Sequence, residues 1–310
     1  MLGSKSRCKS RILFPNGISV AQVEKSALLY SRGILFDIFP YFTHNTKDKF
    51  AYSIDISIIL YYNLREINGG KEMRSFNYSA FKEQKWDSDI LGLIAAIYKE
   101  AGKQEQYLKQ RPQEMEKLVE IAKIQSTEAS NAIEGIVTTS TRIKQLVEEK
   151  TTPRNRDEQE IAGYRDALNV IHESFDAIPI TQNYILQLHK MLYSHMNNPL
   201  AGRTKSVQNY ISAAYPDGHT EILFTPLEPN ETSEALDRIC EEYNRVIGNL
   251  EVEPLIIIPI FIHDFLCIHP FNDGNGKMSR LLTTLLLYQN GFYIGKYISL
   301  EAKISKDKDL

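Results

Sequence analysis

Two apolar stretches late in the chain, "PLIIIPIFIHDFLCI" at 254–268 and "KMSRLLTTLLLYQNG" at 277–291, constrain this sequence more than any other feature. The first is interrupted by His263 and Asp264 and is too short to cross a bilayer, so it reads as a helix buried in a protein core. The second has the same helical texture. Between them lies "HPFNDGNGKMSR" (269–280), with a His, an Asp, two Gly, two Asn and two cations where the flanking sequence builds a core. A buried helix pair wrapped around a polar loop predicts a mainly α chain with its chemistry at that loop.

The rest of the chain supports that class. "SDILGLIAAIYKEAGK" places Ile90, Leu91, Leu93, Ile94 and Ile97 at helical spacing, with Ser88 or Asp89 as the expected cap and Gly102 as the expected stop. A second helix starts near Pro112, carries Leu118, Ile121, Ile124 and Ile133 as its stripe, and stops at Gly135. "TSTRIKQLVEEK" is a short third helix, and "TTPRNRDEQ" a polar connector. Helical patterns resume at "DEQEIAGYRDALNVIHESF", at "TQNYILQLHKMLYSHM" with Thr181 as cap, and at "NETSEALDRICEEYNRVIGNL" with Thr232 or Ser233 as cap. Between the last two, alternating β-formers around "YPDGH" predict a β-hairpin near 205–225, since Pro-Asp-Gly is a turn with a mechanism. Tyr210, Tyr215 and His219 fall in or near it. The charged C-terminal end reads as a solvated tail. Residues 1–72 are rich in Ile, Tyr and Phe with little helical period, and Met73 opens the helical grammar as an alternative start. Three segments are therefore expected: 1–72 of uncertain standing, 73–150 a helical accessory region, and 151–310 the core unit.

A formal net charge of −3 argues against a broad nucleic-acid surface. Cys8, Cys240 and Cys267 make neither a CxxC pair nor a zinc spacing, which fits a reducing cytoplasm; Cys240 and Cys267 read as small buried residues. No apolar h-region follows the basic N-terminus and no segment is long enough to span a membrane. His263 reads as a packed histidine. The pairs His263/His269 and His189/His195 are not at metal-ligand helical spacing.

The loop meets a helix N-terminus, where unpaired N–H groups and partial positive charge make a ready anion site. Gly274 and Gly276 let the backbone approach a ligand closely. Lys277 and Arg280, three apart, share a helix face, one a point charge and the other a fork for phosphate. Asp273 among such groups suits Mg²⁺, which is held through a carboxylate plus substrate phosphates. His269 suits a general base. The set describes phosphoryl or nucleotidyl transfer from a nucleoside triphosphate to a hydroxyl. It is not a Walker A loop, because Phe271 and Met278 stand where Gly and Ser/Thr are required. Nor is it a Rossmann fingerprint, since no strand precedes it.

"HPFNDGNGKMSR" resembles the signature of Fic-domain proteins, HxFx(D/E)GNG(R/K)xxR, and the resemblance extends over roughly 155–295. It implies a helical core with the hairpin as a flap that docks a target segment by strand addition. It implies transfer of AMP from ATP to a Ser, Thr or Tyr hydroxyl of a protein. By position, His269 would deprotonate the hydroxyl, Phe271 anchor the loop and Asp273 bind Mg²⁺. Gly274, Asn275 and Gly276 would cradle the α- and β-phosphates, and Lys277 and Arg280 would bind phosphate oxygens, Arg280 toward the γ-phosphate. Lys277 departs from the commoner Arg and loses its bidentate fork. The family usually continues past the point where this chain stops, which leaves nucleotide choice open.

"SNAIEG" (130–135) is similar to that family's inhibitory helix motif, (S/T)xxxE(G/N). Glu134 falls where the helix dipole disfavours a carboxylate, a broken local rule. The resemblance implies that Glu134, with Ser130 and Gly135, pairs with Arg280 and holds activity low; the same Glu could instead position water for AMP removal. UMP transfer, phosphorylation and a non-catalytic ATP-responsive regulatory module are the other readings. The target protein, the release trigger and a homo-oligomeric state are not legible.

Overall fold

The computed structural model describes residues 76–214 and 219–307. The expectations for 1–72 and for the turn residue Tyr215 lie outside the described residues. The chain is mainly helical: α1 (Ser88–Gln110), α2 (Pro112–Ile133), α3 (Ser140–Val147), α4 (Arg156–Ser174), α5 (Gln182–Leu192), α6 (Pro229–Gly248), α7 (Pro254–Ile268), α8 (Asn275–Gln289) and α9 (Leu300–Asp307). One hairpin, β1 (Ile211–Ala214) and β2 (Thr220–Phe224), is antiparallel, pairing Ala214 with Thr220 and Ala213 with Glu221, with a register shift between Ile211 and Ser212.

α7 is apolar on most of its surface and is therefore mostly buried. Leu255, Ile257, Ile258, Phe261, Ile262 and Phe265 are each at most 2% exposed. It packs against α6 and α8, and α8 packs against α4. This centre holds the two ends of the polar loop still. α4 in turn crosses α5 so closely at Gly163 that a Cβ there would run into the Leu192 carbonyl.

Several helix limits differ from the sequence expectation for physical reasons. α1 is capped by Asp87, whose carboxylate accepts from the N–H groups of Asp89 and Ile90, and it runs through Gly102. Gly102 faces open space, so its propensity penalty of about 1 kcal/mol is spread over a long helix. The stop comes at Arg111, whose backbone leaves the helical region because Pro112 follows. α6 starts at Pro229, and the Thr232 hydroxyl donates to the Glu228 carbonyl instead of capping. In α2 the expected apolar stripe is half wrong: Leu118 and Ile121 are exposed. The buried face toward the end of α2 is Ser126, Thr127, Ala129, Ser130, Asn131 and Ile133, small and mostly polar. Leu300–Asp307 form helix α9, packed on α2 with Ile304 and Glu301 buried, while Lys306 of the charged end is exposed as expected. The Tyr164 hydroxyl donates to the Glu301 carboxylate at 2.9 Å.

Replacing Gly163 with Ala is expected to destabilise the chain by about 1–3 kcal/mol through overpacking at the α4–α5 crossing, read from urea or thermal melts. An unchanged melt would refute the close approach.

His172 of α4 offers a second check. It is buried edge-on to Tyr288, and among the described residues neither ring nitrogen has a hydrogen-bond partner. Burial, with Lys123 and Lys296 adding, pushes its pKa down to about 3. An unfolded histidine takes its proton near 6.5, whereas the folded one stays neutral. Stability contributed by the neutral ring is therefore present above pH 6.5 and lost as pH falls toward 3. Melts from pH 8 to 4.5 should show falling stability, and His172→Phe should flatten that slope by up to about 1.4 kcal/mol per pH unit.

Candidate active site

α7 ends at His269, which takes the left-handed conformation (φ 50°, ψ 61°) while its N–H still donates to the Phe265 carbonyl at 3.0 Å. A non-glycine residue holds that backbone only where its surroundings over-determine it. They do so here. The chain turns to bury Phe271 completely, its ring stacked on His189 at 3.7 Å. Asn275 straps the loop from inside: its Oδ1 accepts the Phe271 N–H at 3.0 Å and its Nδ2 donates to the Phe271 carbonyl at 2.7 Å. From outside, the Lys205 N–H donates to the Pro270 carbonyl at 2.7 Å, its Nζ to the Ile268 carbonyl at 3.0 Å, and Asn209 Nδ2 to the Phe271 carbonyl at 3.1 Å.

Within this frame His269 is 6% exposed, with Nδ1 3.3 Å from the Leu266 carbonyl. A carbonyl only accepts, so this contact keeps the proton on Nδ1 and the basic lone pair on Nε2. Burial, and then the nearby Lys205 ammonium, push the imidazole pKa down to about 4, so the ring is a neutral base at pH 7. Burial lowers Lys205 itself to about 8.

α8 begins at Asn275, two residues earlier than its apolar pattern suggests, after Gly274 at φ 81°. By helix geometry its first-turn N–H groups lack intrahelical acceptors. A carboxylate lies against them. The Glu134 side chain is so close to Gly276 that a Cβ there would collide with it, and Glu134 Oε1 accepts from Arg280 Nη2 at 2.7 Å. Arg280 is 2% exposed; its Nε donates to Ser130 Oγ at 2.7 Å and its Nη2 to the Ser130 carbonyl at 3.0 Å. Glu134 is delivered by the C-cap of α2: Gly135 is left-handed (φ 82°), its N–H donates to Ala132, and the Ile136 N–H reaches back to Asn131. The second cation has its own partner. Lys277 Nζ donates to Glu160 Oε2 of α4 at 2.7 Å, both side chains being buried, and Arg156 holds the other Glu160 oxygen at 3.2 Å. Two carboxylates from two helices thus satisfy the two cations that the loop pattern pairs with phosphate.

Residues 179–287 match the family model described as Fic/DOC family. Over these residues the chain is similar to a Fic domain. Among curated proteins it is similar to "Protein adenylyltransferase Fic" of Nematostella vectensis, 27% identical over 188 residues, which cover 57% of this chain and 40% of that protein. It is also similar to "Protein adenylyltransferase fic-1" of Caenorhabditis elegans, 28% identical over 142 residues, 44% of this chain and 25% of that one. The chain thus spans well under half the length of these relatives. A solved structure of a Fic domain containing signaling protein from Bacteroides thetaiotaomicron shares the fold, with a TM-score of 0.54 at 23% identity over 63% of this chain and 73% of that one.

The fold brings His269, Asp273, Gly274, Gly276, Lys277 and Arg280 to one end of α8, and α2 adds Ser130 and Glu134. Asn275 is the departure: its side chain is committed to Phe271, so only its backbone N–H is left for an anion. The Gly274 N–H donates to Asp273 Oδ1 at 2.8 Å. Burial, then the like charge of Glu160, hold the Asp273 pKa above the ordinary carboxylate range. Burial and the same two carboxylates also push the Tyr193 phenol up. The described residues contain no cluster of three or more His, Cys, Asp or Glu that could hold a metal ion. One half-buried carboxylate crowded by others, Asp273, does fit Mg²⁺ arriving with phosphates, which needs one or two protein carboxylates.

Four positioning groups escaped the sequence reading. Glu160 sits in an ordinary helical pattern and shows no signal. Lys205 and Asn209 precede the hairpin. His189, set aside for lacking metal spacing, lies on the same helix face as Ile185, Leu188 and Leu192, and that placement was the available clue. His263, expected as a packed histidine, lies beside Cys267 and Asp264.

The Arg280–Glu134 pair should show in a double-mutant cycle. Arg280→Ala leaves Glu134 without its cation and is expected to cost about 3 kcal/mol in denaturant melts, with a coupling to Glu134→Gln of about 1–3 kcal/mol. Additive effects would mean that the pair is not formed in solution.

Proposed function

We propose that the chain is a protein adenylyltransferase that moves AMP from Mg²⁺-ATP to a Ser, Thr or Tyr hydroxyl of a target protein, and that Glu134 holds it in check. The observation that carries this reading is the placement of the His269 base beside the α8 N-terminus, where the Glu134 carboxylate lies on Gly276 and Arg280. A carboxylate and a phosphate compete for the same donors, the first-turn N–H groups and the guanidinium. ATP therefore meets a site whose Arg280 is already engaged.

With Glu134 withdrawn, the N–H groups from Asn275 to Lys277 and the Arg280 fork bind the polyphosphate. His269 Nε2 takes the proton of the target hydroxyl as that oxygen attacks the α-phosphorus. The bond from the α-phosphorus to the bridging oxygen breaks, and pyrophosphate leaves. The Nδ1–Leu266 contact keeps Nε2 the basic nitrogen throughout. Asp273 is the group suited to hold Mg²⁺, which supplies charge neutralisation on the phosphates when bound. Among the described residues the β1–β2 sheet has two strands, and a target segment would dock on it by strand addition.

Self-labelling with α-³²P-ATP and Mg²⁺ tests the reading. Glu134→Gly should label more strongly than the unsubstituted chain, and adding His269→Ala should lower the rate by about 10²–10⁴-fold. No label in Glu134→Gly, with ATP still bound, would overturn it in favour of AMP removal, another nucleotide or a regulatory module.

A further inference from the structure

We propose that His189 is a positioning residue for the catalytic loop: its imidazole sets the Asp273–Gly274 peptide, and with it the Asp273 carboxylate and the first N–H groups of α8. The catalytic part of this inference rests on the function proposed above; the structural part does not.

His189 is 3% exposed and uses both nitrogens and its face. Nδ1 accepts the Gly202 N–H at 2.9 Å, and Nε2 lies 3.0 Å from the Asp273 carbonyl. An amide N–H only donates and a carbonyl only accepts. The two partners therefore fix one neutral tautomer, bare at Nδ1 and protonated at Nε2. The ring lies parallel to Phe271 at 3.7 Å with an interplanar angle of 0°, and Tyr193 meets it edge-on at 5.2 Å. Rotation of the ring would break both bonds and the stack together.

The peptide held this way has consequences on each side. Its carbonyl belongs to Asp273 and its N–H to Gly274, and that N–H donates back to the Asp273 carboxylate. Gly274 at φ 81° has room for no side chain, since a Cβ would lie 2.9 Å from the Tyr193 hydroxyl and 3.5 Å from His189 Nε2. On the far side Gly202, at φ 72°, is pressed onto α5, where a Cβ would lie 3.1 Å from the Leu186 carbonyl. Residue 202 also opens the segment that carries Lys205 and Asn209 to the loop and continues into the hairpin. His189 thus ties the base of the hairpin to the residue suited to bind Mg²⁺. A ring needed only to fill space would leave its nitrogens without this pair of opposed partners.

Two substitutions separate the roles, both made in Glu134→Gly. His189→Phe keeps the stack and removes both hydrogen bonds; His189→Gln keeps a donor for the Asp273 carbonyl and removes the ring. In His189→Phe we expect a folded protein with a lowered melt, kcat for self-labelling lower by about 10–100-fold and a higher Mg²⁺ requirement, with His189→Gln recovering part of the loss. Hydrogen–deuterium exchange, which needs no turnover, should be faster at residues 274–277 in His189→Phe and unchanged in α7. Parental kcat and Mg²⁺ requirement in His189→Phe, or unchanged exchange at 274–277, would overturn the assignment. If Glu134→Gly itself does not label, the function proposed above fails, and the exchange arm still decides the structural role. Should His189→Phe not fold, ¹⁵N-histidine NMR of the unsubstituted protein decides: a protonated Nε2 with bare Nδ1 at pH 7 supports the assignment, and the opposite tautomer or an imidazolium overturns it.

Discussion

A buried guanidinium has to be matched, and the matching of Arg280 organises the site end of this molecule. Removing a charge from water costs several kcal/mol unless opposite charge and hydrogen bonds compensate. Arg280 meets that demand with the Glu134 carboxylate and with two oxygens of Ser130, all from α2. The small polar face of α2 follows from this: a helix that delivers hydroxyl and carboxylate groups to a buried cation cannot present an unbroken apolar stripe there. α9 and α4 pack on α2 and hold that face against α8.

The same electrostatic logic repeats one turn earlier on α8. Lys277 is matched by Glu160, and Glu160 by Arg156 as well. Three carboxylates (Glu134, Glu160 and Asp273) and three cations (Arg156, Lys277 and Arg280) therefore surround one helix N-terminus. Glu134 and Glu160 each answer a cation of α8, and Asp273 accepts the Gly274 N–H.

The loop itself is held by many modest bonds. Asn275 ties it to its own helix, Lys205 and Asn209 tie it to the strand-leading segment, and His189 ties it to α5. Most of these bonds end on backbone carbonyls and amides. That is how the loop keeps His269 left-handed and Phe271 buried while leaving polar side chains at its rim.

By itself the sequence determined the helical class, the hairpin, the core helix α7 and the loop whose residues converge on α8. These are carried by local periods, turn residues and a dense motif, which need no knowledge of partners. It also pointed to Glu134 and Arg280 as a pair, through spacing that resembles a known motif. Only the tertiary structure decided which face of α2 is buried, that α9 is a packed helix, that Asn275 braces the loop, that Glu160 partners Lys277, and that His189 grips Asp273. Apart from the local Asn275 brace, such facts depend on contacts far apart in the chain, 84 to 150 positions in His189–Asp273, Lys277–Glu160 and Arg280–Ser130. No periodicity along one helix encodes the partner that packing brings from another.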